Sequence, residues 1–87
     1  MEVQENESVI QYLPEHTIGQ RIKKARMSMG LTQKELADAA EIHPNMILNY
    51  EHDKYSPSLF NAVCIAKVLN VTLDYMAGLE DDYPNES

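Results

Sequence analysis

The sequence predicts an all-α domain of five short helices, and three observations carry that prediction. Helix start and stop signals recur at short intervals through the middle of the chain, apolar residues there fall at helical spacing, and strand-like alternation is nearly absent. With 87 residues, 44% of them hydrophobic, there is apolar material for one small core and not for two.

The first helix opens at Thr17, where Gln20 three residues on completes a capping-box pattern, and Ile18, Ile22, Ala25 and Met29 recur at i, i+4, i+7 and i+11. Gly30 is placed to end it in a left-handed cap. The second helix, about 33–39, starts from a second box formed by Thr32 and Glu35, with Leu31 and Leu36 positioned to staple its entry. Leu36, Ala37 and Ala40 give it a narrow face of small residues that lets another helix approach closely. A tight turn at Ala40–Ile42 leads to His43 as N-cap and to Pro44 at the first helical position, where a missing N–H costs nothing. The third helix then runs from Pro44 to Glu51. After a linker from His52 to Ser56, Pro57-Ser58 restarts a helix whose Leu59, Ala62, Val63, Ala66 and Leu69 are expected to form a broad buried face, stopped at Asn70. A short fifth helix follows a Thr72 cap, and Val71, Leu73, Met76 and Leu79 are expected to close the core.

Charge divides the chain into three parts. Fourteen acids against seven bases give a formal net charge of −7, which excludes a uniformly basic coat. Residues 1–17 hold Glu2, Glu5, Glu7 and Glu15 with no Lys or Arg, and residues 80–87 hold Glu80, Asp81, Asp82 and Glu86, again unopposed. All seven bases lie in 18–79 beside six acids, so that stretch carries a net +1. The expected organisation is an acidic N-terminal arm over 1–16, a folded domain over 17–79 and an acidic C-terminal tail over 80–87. Within the arm, Val9, Ile10, Tyr12 and Leu13 ahead of Pro14 could pack on the domain or on a partner, although a mostly disordered arm is the simpler expectation.

Several chemistries find no residues to carry them. One cysteine, Cys64, closes no intramolecular disulfide and reads as a small core residue, and no Cys and His pair has zinc spacing, so no metal is expected. His16, His43 and His52 are not at i, i+3 or i+4 from one another and read as capping and surface residues. No nucleophile–base–orienter set and no glycine-rich phosphate loop can be assembled, so neither an enzyme nor a cofactor is expected. Apolar runs are too short for a membrane span and the N-terminus is acidic, which points to a reducing, cytosolic setting.

Two capped helices of about eight residues joined by a short turn, within a five-helix domain, describe a DNA-reading helix-turn-helix. The residues themselves sharpen this. Ile18-Gly19-Gln20-Arg21-Ile22, then Gly30-Leu31-Thr32-Gln33-Lys34-Glu35-Leu36-Ala37, then Tyr50-Glu51, Pro57-Ser58 and Val71-Thr72-Leu73-Asp74 stand in one register. Over 17–79 the chain resembles the phage repressor and Cro-type (XRE) helix-turn-helix family, which implies the lambda-repressor-like fold and a sequence-specific, transcription-regulating DNA-binder, expected to be a dimeric repressor on an operator.

The resemblance implies a role for each matching position. Gln33, in the first turn of helix two, anchors a phosphate in relatives, where free N–H groups and the positive end of the helix dipole suit an anion. Helix three becomes the recognition helix, with Pro44, Asn45, Leu48 and Asn49 outward as base contacts, Ile47 and Tyr50 inward and Met46 at the boundary. Asparagine can bond adenine N6 and N7 together and Leu48 suits a thymine methyl, so an A·T-leaning site is expected. Backbone contacts are expected from Gln33, Lys34, His43, Lys54 and Tyr55, with the solvated basic run of Arg21, Lys23 and Lys24 on helix one as weaker candidates. Arg26 and Glu51 are implied to form a structural ion pair. Two departures stand out: Glu41 and Asp53 occupy positions where relatives commonly have glycine, and the recognition helix has neither Arg nor Lys. That missing charge motivates the alternative, in which the same fold uses Met46, Leu48 and Tyr55 as an apolar patch for a protein partner.

Overall fold

Five α-helices and no strand make up residues 16–80, the part of the chain that the computed structural model describes. In chain order they are α1 (Ile18–Ser28), α2 (Gln33–Ala40), α3 (Pro44–Glu51), α4 (Leu59–Leu69) and α5 (Leu73–Ala77). The apolar residues noted at 9–13 and the acids at 81, 82 and 86 lie outside the described residues.

Each helix starts where its side-chain cap permits. Both expected capping boxes are formed: the Thr17 and Thr32 hydroxyls accept from the backbone N–H of Gln20 and Glu35, whose side chains accept from the N–H of the caps in return. His43 caps α3 through Nδ1, which accepts from the Asn45 N–H at 3.1 Å, and Pro44 follows. Ser58 and Thr72 cap α4 and α5. At the other ends, Gly30 with φ of +74°, Glu41 with 59° and Asn70 with 57° turn the chain through the left-handed region.

The core is built where the five helices meet. α1 packs against α3, α4 and α5, while α2 packs against α3 and α4, and α4 against α5. Ile22, Ala25, Leu36, Ala37, Ile47, Tyr50, Ile65, Leu69 and Tyr75 are at most 2% exposed. The short side chains of Ala25, Ala37 and Ala40 let α1 and α2 come close to their neighbours.

Four expected core positions are corrected. Met29 is exposed, because α1 has already ended at Ser28 and Met29 only caps it. Leu59, on the first turn of α4, is 74% exposed, and Ile65 is fully buried instead. Leu73 and Leu79 are also exposed, and Tyr75 fills the core beside Met76 instead. Asn61 donates to the Tyr50 hydroxyl at 2.9 Å, which satisfies that otherwise buried polar group.

Candidate nucleic-acid interface

The α2–turn–α3 unit is fixed from beneath and open from above. Ile47 and Tyr50 pin α3 to the core, so the helical period turns Pro44, Asn45 and Leu48 outward, with Asn49 half-buried at the edge of the same face. Met46 is partly buried against the core, at the boundary where the sequence placed it. Leu48 is 38% exposed, an apolar side chain between two amides. The face therefore offers amide donors and acceptors and an apolar contact, and no full charge.

A buried ion pair sets the pose of α3. Arg26 Nε donates to Glu51 Oε2 at 2.6 Å and its Nη2 to Oε1 at 3.0 Å, a two-pronged bond that joins α1 to the last residue of α3. Arg26 Nη1 also donates to the Leu31 carbonyl at 2.7 Å, tying in the turn that leads to α2. The Glu51 side chain is fully inaccessible, so the planar fork of the guanidinium supplies the hydrogen bonds that water cannot. Gln33 joins this group, donating from Nε2 to Glu51 Oε1 at 3.0 Å while remaining half-buried.

The flanks hold the remaining candidates. Lys34 is exposed on α2 and pairs with Asp38 one turn on, at 3.0 Å, a bond that solvent weakens enough for the lysine to exchange it for another anion. Because His43 Nδ1 accepts the capping bond, the proton of the neutral ring is assigned to Nε2, a free donor at the head of α3. Lys54 and Tyr55 are both exposed in the loop after α3.

That loop is held by a residue whose part the sequence did not disclose. Asp53 adopts φ of 60°, and its carboxylate accepts from the Thr17 hydroxyl at 2.7 Å and from the Gly19 N–H at 3.1 Å. The loop carrying Lys54 and Tyr55 is thereby fastened to the N-terminus of α1. Gly19 makes the approach feasible, because a Cβ there would overlap the Tyr50 carbonyl and the Asp53 carboxylate. The signal was spread over 34 residues of sequence, and local spacing does not reveal such a pairing.

Arg21 is removed from the weaker phosphate candidates. Its residue is only 5% exposed, its Nη1 donates to the carbonyls of Tyr75 and Glu80, and its guanidinium lies 5.3 Å from the centre of the Tyr75 ring. It binds α1 to the end of α5 from inside. Position 21 in fact completes an i, i+3, i+4, i+7 stripe with Ile18, Ile22 and Ala25, so its inward placement was readable. Lys23 and Lys24 remain exposed on the same helix.

Comparison with known proteins agrees with this geometry. The helix-turn-helix family model matches residues 22–76. The HTH-type transcriptional regulator ImmR of Bacillus subtilis is 35% identical over 65 residues, covering 75% of this chain and 51% of its own length. The immunity repressor protein of Bacillus phage phi105 is 36% identical over 64 residues, covering 74% of this chain and 44% of its own. The chain thus spans about half the length of these curated relatives. Among solved structures, the N-terminal DNA-binding domain of SinR from Bacillus subtilis is similar with a TM-score of 0.66 at 28% identity, over 79% of this chain and 96% of that one.

Proposed function

The chain belongs to the phage repressor and Cro-type (XRE) helix-turn-helix family, and from that premise we propose that it is a sequence-specific, DNA-binding transcriptional regulator that represses by occupying an operator. One observation carries this reading: α3 presents Asn45 and Leu48 outward, with Asn49 at the edge of the same face, while a buried network fixes its far end. A helix of that size enters the major groove, where each well-made bidentate base contact is worth about 1–3 kcal/mol of discrimination.

The other assignments follow from position. Pro44 starts the helix at the groove, Asn45 and Asn49 bond adenine edges, and Leu48 lies on a thymine methyl. Gln33, Lys34, His43, Lys54 and Tyr55 bracket α3 and contact phosphates on either side. With no Arg or Lys on α3 and a domain near neutrality, a single copy holds DNA weakly, and a homodimer on half-sites about one DNA turn apart, about 34–36 Å, doubles the contacts. The setting proposed is the cytoplasm; among the described residues no helix is long and apolar enough to cross a membrane.

Selection from random duplex DNA at about 50 mM salt tests the reading, because phosphate contacts are least screened there. The expected result is an inverted repeat with A·T-rich half-sites. No enrichment over the starting pool would refute it.

The reading with a protein partner rests on the exposed Leu48 and Tyr55 and the half-buried Met46. The two separate on one pair of variants. Asn49→Ala and Gln33→Ala weaken operator binding under the first, each by at least about tenfold, and leave a partner complex intact under the second.

A further inference from the structure

A single carboxylate, that of Glu51, collects bonds from three parts of the domain. Two come from Arg26 of α1, and the third comes from Gln33, the first residue of α2. Among the described residues this third bond is the side-chain hydrogen bond that runs directly from α2 to α3. Arg26 ties the end of α3 to α1, while Ile47 and Tyr50 seat its inner face in the core. With Gln33 added, the carboxylate is held from two helices and the far end of α3 is fastened to the start of α2 as well.

We propose that Gln33 is a positioning residue for base recognition, in addition to the phosphate contact assigned to it above. An amide nitrogen carries two N–H groups, and Glu51 takes one at 3.0 Å. The second is available to a phosphate oxygen at the α2 N-terminus, where the unpaired backbone N–H groups also favour an anion. One side chain then bridges the backbone anchor and the far end of the recognition helix. The register chosen by the phosphate contact is passed to Asn45 and Asn49, whose hydrogen bonds to base edges tolerate little angular error. A residue serving only as a phosphate contact would strengthen binding to every sequence alike. A positioning residue strengthens binding to the preferred sequence above all.

This inference rests on the regulator reading, and its test keeps the two failures apart. The full chain and its Gln33→Ala variant are titrated with the duplex recovered by selection and with a scrambled duplex of equal length. In parallel, the Nε–H resonance of Arg26 is followed by NMR in the DNA-free protein. The expected outcome is a loss of affinity at least tenfold greater on the selected duplex than on the scrambled one. The salt dependence should stay unchanged, because glutamine carries no charge, and the Arg26 Nε–H signal should shift as the Glu51 carboxylate loses a donor.

Alanine is a strong helix former and the Thr32 cap is untouched, so the variant retains its fold. Gln33→Glu, which sets a carboxylate against Glu51 at the same chain length, should move the Arg26 signal further and reduce discrimination again. Equal losses on both duplexes would overturn the proposal and leave Gln33 a phosphate contact only. No loss on either would overturn it as well. Failure of the wild-type chain to select any duplex would refute the regulator reading before a variant is made, and this inference with it.

Discussion

Glu41 and Asp53 both sit in the left-handed region, at φ of 59° and 60°, and the structure gives them different reasons to be there. Asp53 uses the conformation to aim its carboxylate at Thr17 and Gly19, whereas Glu41 caps α2 with its backbone alone and its side chain is exposed. The strain at Glu41 is therefore uncompensated by any bond from its side chain among the described residues. Glu41→Gly should raise stability by about 1 kcal/mol, seen as a higher urea midpoint with an unchanged slope. A fall in the midpoint would show that the side chain contributes more than its geometry indicates. The reverse case is Glu51, whose removal leaves Arg26 charged and almost inaccessible. Glu51→Ala should cost about 3–5 kcal/mol in the same denaturation, enough to leave a small domain marginal. That pairing was legible because two family positions matched, and the Glu41 turn was legible as a conflict between residue type and backbone. Asp53 was not, since its bonds span the chain and depend on Gly19 having no side chain.

Helix boundaries were legible wherever a cap fixed them. Thr17, Thr32, His43, Ser58 and Thr72 each accept the bond that starts their helix. Burial was legible on α2 and α3, where polar residues mark the outer face. On α4 it was legible at Ala62, Ala66 and Leu69 and failed at Leu59 and Ile65, because Leu59, Phe60, Ala62, Val63, Cys64, Ile65, Ala66, Val68 and Leu69 are apolar nearly all round and periodicity had little contrast to work with. The consequence is measurable. Ile65→Ala should cost about 2–5 kcal/mol of unfolding free energy, whereas Leu59→Ser and Phe60→Ser, at 74% and 75% exposure, should change it by less than about 0.5 kcal/mol. Comparable losses at all three would contradict the packing described. On α5 the error had another source: a helix of five residues is too short to show a period, and Tyr75 turns inward beneath Arg21, where Leu73 was expected.

For the molecule as a whole, the distribution of charge matters more than its sum. The net −7 arises from acids clustered at both ends of the chain, and the stretch 18–79 is close to neutral. Two of its seven bases, Arg21 and Arg26, are buried and hold the fold together. Few cations are left to meet phosphates, so the salt dependence of DNA binding should be shallow for a repressor. If Lys34 and Lys54 each neutralise one phosphate in both copies of a dimer, log K should fall with log salt at a slope of about −4, and Lys54→Ala should reduce it to about −2. Fluorescence anisotropy across a salt series checks both values, and a slope unaffected by Lys54→Ala would exclude that residue from the backbone contacts. The central claim, that α3 reads bases through its amides, is tested most directly by repeating the selection from random duplexes with Asn49→Ala. The account predicts that the recovered site keeps its length and symmetry and loses its base preference at one position in each half-site. A site identical to that of the unaltered chain would contradict it.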